Sequence, residues 1–257
     1  MKKVLLISID GMRPDGFLAC GNPYTEVLKK DAAYTLSGRT VFPSLTLPCH
    51  MSLFHSVPPQ RHGITENTYV SMARPIKGLF EVVEGAGGVS AMYYAWEPLR
   101  DVSRPDSLAY AAYFHSYAAQ SSDSVLTNMA LERIAAAKPD FVFLYMVETD
   151  QKGGHDNGWM SEEYLRRISM ALDNVQRVRE AVGEEYTIII TADHGGHDRD
   201  HGTELAEDMT IPLFFIGERF TPGKELQGVS IMDVAPTIAD VMGLRTPREW
   251  EGKSLAE

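Results

Sequence analysis

Apolar residues enter this chain in short unbroken runs rather than in alternation with polar ones. Val4 to Ile9 is one run, and Phe141 to Val147, Tyr186 to Thr191 and Ile211 to Ile216 repeat it. A strand covered on one face alternates; an unbroken run of this length marks a strand covered on both faces, as in a central parallel sheet. Gly88 to Tyr94 carries a weaker form of the same signal. Between the runs the apolar spacing changes to that of a helix. Ser122 to Ala137 spaces Val125, Met129 and Ile134 along a helix and stops at Lys138-Pro139. Ser161 stands as an N-cap before a stripe made of Tyr164, Leu165, Ile168, Leu172, Val175 and Val178. A last helix, Asp233 to Met242, is stopped by Gly243. Strands alternating with helices predict an α/β fold with a mostly parallel central sheet and helices on both faces. Length and the lack of a linker predict one domain over 1–257. Residues 57–120, rich in Pro, Gly, Tyr and Ala, are expected to form substrate-side loops or a small subregion.

Composition narrows the picture modestly. Hydrophobic residues make up 44% and charged residues 23%, ordinary for a water-soluble globular chain. The formal charge of −11 argues against a nucleic-acid polymer as partner, since backbone binding needs a basic face. A phosphorylated small molecule stays compatible, because bound divalent cations reverse the local field. Cys20 and Cys49 are too few for a disulfide framework and form no CxxC pair, so a reducing cytoplasm is the expectation. The start of the chain looks like a signal peptide only superficially: its apolar run is short, lacks a small-residue cleavage site and ends in Asp10. No run reaches membrane-spanning length, and no membrane partner is expected.

The chemistry sits where the runs end. Asp10, Asp150 and Asp193 each follow an apolar run within one to three residues. In open α/β sheets, sites form beyond the carboxyl ends of the strands, so three carboxylates are predicted at one sheet edge. His155, His194 and His201 accompany them, and Gly195-Gly196 allows a tight bend beside His194. Aspartate and histidine together suit zinc, and also manganese or iron. Singly, Asp193-His194 reads equally well as a plain turn, and His155 and His201 as solvated loop residues; the grouping favours a metal site. Thr46, just before Leu47-Pro48, is placed to open a helix. A simple N-cap explains that position. So does a nucleophile at a helix N-terminus, where the dipole and free N–H groups favour phosphate. The remaining signals have ordinary readings. His50 and His62 fit buried polar contacts; His197 and Asp198 fit a solvated loop, with substrate contact the alternative; Trp96, Tyr93 and Tyr94 fit core packing, with stacking on a base or aromatic leaving group the alternative; His55 and His115 carry no signal.

Several of these segments resemble a known family. Ile9-Asp10-Gly11-Met12-Arg13-Pro14-Asp15 resembles the opening motif of the type I phosphodiesterase/nucleotide pyrophosphatase branch of the alkaline phosphatase superfamily. Phe42 to His50 is similar to its nucleophile motif, with Thr46 at the nucleophile position, and the likeness runs on to Arg61-His62-Gly63-Ile64 and Asn67. Thr191 to Gly196 is similar to its late metal motif, and Met232 to Ala239 to its C-terminal helix.

The resemblance implies an alkaline phosphatase-like three-layer core and two divalent metal ions, zinc first and manganese second. Asp150, His155 and His201 would hold one ion; Asp10, Asp193 and His194, with Thr46, the other. Thr46 would attack phosphorus in line, giving a phospho-threonine that water then hydrolyses. The implied activity is that of a phosphodiesterase or nucleotide pyrophosphatase. A phosphomonoesterase or phosphomutase of the same superfamily is the near alternative. A non-catalytic metal-binding module is the distant one, and Thr46 argues against it. A sulfatase is disfavoured because Cys49 does not begin the Cys-x-Pro-x-Arg pattern.

Three departures stand out. The family commonly has Asn, a phosphoryl-oxygen contact, where this chain has Cys49, so another donor is needed; Asn67 is the candidate. Asp150 and His155 are five positions apart where the family usually has four, and Gly153-Gly154 is expected to absorb the extra residue. The chain is short for the branch, so relatives' substrate pockets do not carry over. A monoester phosphatase would also need an added cation, for which Arg13 and Lys152 are the candidates.

Overall fold

The computed structural model describes residues 1–257. Its strands are β1 (Lys3–Ile9), β2 (Ala33–Arg39), β3 (Ser90–Tyr94), β4 (Tyr110–Tyr113), β5 (Phe141–Met146), β6 (Tyr186–Thr191) and β7 (Thr210–Ile216). They form one seven-stranded sheet in the order β2-β7-β6-β1-β5-β3-β4. The apolar runs are its central strands: every residue of β5 is buried, as is all of β1 beyond Lys3. Neighbours β6, β1, β5, β3 and β4 pair in parallel, with Ile7 level with both Leu144 and Ile190. The sheet is thus mostly parallel. β7 runs antiparallel to both β6 and β2, a direction its composition does not encode.

The two strands with no apolar run, β2 and β4, are the sheet edges. Both alternate more- and less-buried positions, because an edge strand is not covered on both faces. Within residues 57–120, β3 forms on the weaker strand signal of Gly88 to Tyr94, and β4 adds an edge strand beside it.

Helices cover both faces. Pro14–Ala19, Tyr24–Asp31, Ser122–Ala137 and Glu162–Val182 pack together on one; Thr46–His55, Leu79–Gly85 and Val234–Met242 pack on the other. Ser161 caps its helix as expected, accepting the Tyr164 N–H, and Tyr164, Ile168, Leu172, Val175 and Val178 are buried beneath it. The last helix ends at Gly243, whose φ of 74° is the left-handed stop that glycine adopts freely. No helix is long and apolar enough to cross a membrane.

Candidate active site

β6, β1 and β5 lie side by side and point the same way, so the residues leaving their carboxyl ends converge. Asp10, Asp150 and Asp193 are all buried there. The backbone has to pass very close: Gly11, at φ 67°, would place a Cβ 3.1 Å from Asp150 Cβ. A side chain at residue 11 would be strained by its backbone and crowded by Asp150.

Each of the three carboxylates keeps one buried oxygen that no protein group answers. Asp10 Oδ1, Asp150 Oδ1 and Asp193 Oδ2 are buried without a hydrogen-bond partner. Burial first, and the neighbouring carboxylates second, hold Asp10 and Asp150 well above the usual carboxylate range. For Asp193, burial pushes the same way but is outweighed by His194 and His50, so it falls below that range. Tyr145 donates its hydroxyl hydrogen to Asp10 Oδ2, leaving Oδ1 free.

The imidazoles are arranged as ligands. His194 Nδ1 lies 2.7 Å from the Gly195 carbonyl, His201 Nδ1 2.9 Å from the Ser44 carbonyl, and His155 Nδ1 2.9 Å from the Arg199 carbonyl. A carbonyl only accepts, so each Nδ1 carries the hydrogen and each Nε2 is left with a lone pair. All three Nε2 atoms face carboxylates. His194 Nε2 is 3.2 Å from Asp10 Oδ1 and 3.4 Å from Asp193 Oδ2; His155 Nε2 is 3.5 Å and His201 Nε2 3.8 Å from oxygens of Asp150. Burial, then His194, pushes His201 down to about 3, so its ring stays neutral at ordinary pH. Ligating atoms of Asp10, Asp193 and His194 lie within 4.8 Å of one another, as do those of Asp150, His194 and His201. His155 sits just outside the second group and is half-buried.

The spacing of Asp150 and His155 has a structural answer. Thr149–His155 is a π-helical turn in which the Asp156 N–H bonds back to Gln151. A turn closed by a five-residue bond brings residue i+5 back to the face that i+4 occupies in an α-helix. The added residue is wound into the turn, and His155 still faces Asp150. The glycines serve as close-packing positions: a Cβ on Gly154 would meet the Trp159 ring at 2.6 Å. Trp159, which no sequence pattern singled out, packs edge-on to both His155 and His201 and donates its indole N–H to Gly11 O at 3.0 Å.

Thr46 lies at the same edge, its hydroxyl 3.2 Å from His194 Nε2. It is not the N-cap. Leu45 holds that position in extended conformation, and Thr46 is the first helical residue, with a side chain free of capping duty. Asn67 Oδ1 accepts the Leu47 N–H at 3.0 Å, which identifies its other side-chain atom as the NH2 donor. Cys49 is fully buried, with its thiol against Thr40 and turned into the core, so it makes no phosphoryl contact. A cavity of about 160 Å³ is lined by Thr46, Asn67, Asp10, Asp150, His155 and His201, with Trp96, Tyr145, Val147 and Gln151 completing it. Trp96 therefore belongs to the site wall rather than only to the core, whereas Tyr93 is core.

The other polar candidates are held by the protein itself. His50 is buried between Thr46 O (2.8 Å) and Ser8 Oγ (3.1 Å), and His62 lies 3.1 Å from Ser52 Oγ. His197 stays partly exposed in its loop but is anchored there, its Nδ1 2.7 Å from buried Asp208. Neither candidate cation is free. Arg13 is bound to Asp15 and to Gly196 O, and Lys152 to Glu148, Gln120 O and Ala119 O.

Comparison with known proteins identifies the family and the fold. The sequence profile of the type I phosphodiesterase / nucleotide pyrophosphatase family matches residues 4–212. Among solved structures, murine ectonucleotide pyrophosphatase / phosphodiesterase 5 superposes with a TM-score of 0.82 at 17% identity over 97% of both chains. An inactive form of that protein, in complex with AMP, gives 0.82 at 16% over 98% of both. The phosphonate monoester hydrolase of Silicibacter pomeroyi gives 0.75 at 16%, over 99% of this chain and 76% of that one. Among curated proteins, the 2,3-bisphosphoglycerate-independent phosphoglycerate mutase of Clostridioides difficile (strain 630) is 30% identical over 144 residues. That match covers 51% of this chain and 26% of the mutase, so it spans about a quarter of the relative's length. The chain belongs to the type I phosphodiesterase/nucleotide pyrophosphatase family, whose members are hydrolases of phosphoric esters.

Proposed function

We propose that this family member hydrolyses a phosphodiester or pyrophosphate bond of a small phosphorylated molecule, with Thr46 as nucleophile. The observation that favours a diester is the lining of the cavity, which contains no lysine or arginine. A monoester presents a phosphoryl group with one more negative charge than a diester, and neither Arg13 nor Lys152 is available to meet it.

The donor set fits divalent cations: three buried carboxylate oxygens without partners face three imidazole lone pairs. Asp10, Asp193 and His194, with Thr46, would hold one ion, and Asp150, His155 and His201 the other. Mixed nitrogen and oxygen donors favour zinc over manganese. Bound there, the ions supply Lewis-acid polarisation and offset the clustered negative charge. The chain's own groups do the rest. Thr46 stands at the positive end of its helix, where a developing negative charge is stabilised. The Asn67 NH2 is free to donate to a phosphoryl oxygen. In-line attack forms the Thr46 Oγ–P bond as the P–O bond to the leaving group breaks and the hydroxyl proton ends on the leaving group; water then breaks the Oγ–P bond, restoring the Thr46 hydroxyl and releasing the phosphoryl product. A reducing, cytoplasmic setting rests on the two unpaired cysteines, Cys20 and Cys49.

The mutase match favours a second reading, in which the phosphoryl group passes to an acceptor hydroxyl rather than to water. Its partial coverage of the mutase makes it the weaker one. The test is hydrolysis of bis-p-nitrophenyl phosphate against p-nitrophenyl phosphate by zinc- and manganese-loaded protein. A diester preference is expected, and Thr46→Ala, assayed at saturating metal, should lower diester hydrolysis by roughly 10³-fold or more. Monoester preference would overturn the diester reading. Full activity in metal-loaded Thr46→Ala would overturn the nucleophile.

A further inference from the structure

His201 comes from a loop rather than from a strand end, so something must hold that loop in register with Thr46. The residue at its centre is Asp208, fully buried at the foot of β7. One carboxylate oxygen lies 2.7 Å from His197 Nδ1; the other accepts the Thr203 N–H at 2.9 Å and the Thr203 hydroxyl at 2.7 Å. One side chain thus grips the loop four residues before His201 and two after it. Its backbone joins in, since Gly195 N–H donates to Asp208 O at 2.8 Å.

The far side of the loop is tied to the nucleophile segment. Ser44 is buried two residues before Thr46. Its carbonyl accepts the His201 Nδ1–H, and its hydroxyl donates to Thr203 O at 2.7 Å. The chain from Asp208 through Thr203 to Ser44 is continuous, and His201 and Thr46 are its two outputs.

We propose that Asp208 is a positioning residue for phosphoryl transfer, setting the place of His201 relative to Thr46 through its clasp on His197 and Thr203. The inference rests on the reading of His201 as a metal ligand. Outer partners of metal ligands typically cost about 10–100-fold in affinity or activity when removed.

The experiment compares Asp208→Asn, Thr203→Val, His201→Ala and, as a control at an exposed loop position, Glu204→Ala. Zinc affinity and stoichiometry are measured together with kcat and KM on bis-p-nitrophenyl phosphate. In Asp208→Asn, affinity for one of the two ions should fall about 10–100-fold, and kcat about tenfold or more with KM little changed. Thr203→Val should move both quantities the same way by less, and Glu204→Ala neither. If His201→Ala loses an ion while Asp208→Asn keeps wild-type zinc affinity and kcat, the inference is overturned and the ligand reading stands. It is overturned equally if Asp208→Asn lowers only the melting temperature. If Asp208→Asn does not fold, unchanged zinc affinity and kcat in Thr203→Val overturn it. If His201→Ala itself keeps both ions at full affinity, the ligand reading fails and takes this inference with it.

Discussion

Glu148 and Asp150 leave the same strand two residues apart, and both are buried, yet their surroundings are opposite. Glu148 accepts the Ser122 N–H at 2.7 Å, Lys152 Nζ at 2.8 Å and Arg167 Nη1 at 3.0 Å. Its companion Asp123 accepts the Val147 and Glu148 N–H groups, at 2.9 and 3.2 Å. Burial, and then the charge of Glu148, still pushes Asp123 up to about 7, so even a well-bonded carboxylate pair feels its setting. Asp150 has no such help. Its Oδ1 lacks a partner, and the imidazoles beside it, His155 at 3.5 Å from Oδ2 and His201 at 3.8 Å from Oδ1, turn lone pairs toward it. Where a protein supplies its own counterions, a buried acid ties elements together, here Ser122–Ala137, the π-turn and Glu162–Val182. Where it supplies only lone pairs, the counterion comes from outside.

That contrast can be broken experimentally. The largest stability effect is expected for Glu148→Ala. It strands Lys152 and Arg167 and should cost about 3–5 kcal/mol by urea unfolding, equally with metal or with chelator. A cost that vanished in chelator would put Glu148 in the metal site and dissolve the distinction.

The next effect is acid sensitivity, which His55 and His62, outside both clusters, share with His201 of the site. Burial holds His55 and His62 down to about 4 from their usual 6.5. Unfolded imidazoles bind a proton below about 6.5, whereas these wait until about 4. Stability is therefore whole above pH 6.5 and lost as pH falls through that window. Urea midpoints taken across the window should fall steadily, and less so in His62→Gln. A flat profile would show that the buried imidazoles do not set the pH dependence of stability.

The smallest effect is the most diagnostic. Asp150→Asn removes one of three mutually repelling charges, so chelator-treated protein should gain stability, on the order of 1 kcal/mol. With zinc present the same change should destabilise. Destabilisation under both conditions would show that Asp150 is held by the protein itself.

Much of this was legible in the chain. The apolar runs located the central strands, and with them the strand ends at which Asp10, Asp150 and Asp193 emerge. The edge strands β2 and β4 were not legible, because a half-covered strand looks like loop in composition. Thr46 read as a possible cap; the backbone makes it the first helical residue. The five-residue step from Asp150 to His155 was visible as an anomaly, but its resolution as a π-turn needed Trp159 and Tyr164 packed against Gly154 and Gly153. Asp208 gave no signal, since a carboxylate before an apolar strand is commonplace.

The amino-acid sequence by itself determined which strands are covered on both faces and which polar residues follow them, because burial and strand termination are written in local residue order. The tertiary structure alone decided which charges are answered. Arg13 and Lys152, candidate cations in the sequence, are bound elsewhere, His197 is bonded to Asp208, and Asp10, Asp150 and Asp193 each keep one oxygen without a partner. Partners of a buried charge are drawn from any part of the chain, and only packing brings them within hydrogen-bond reach.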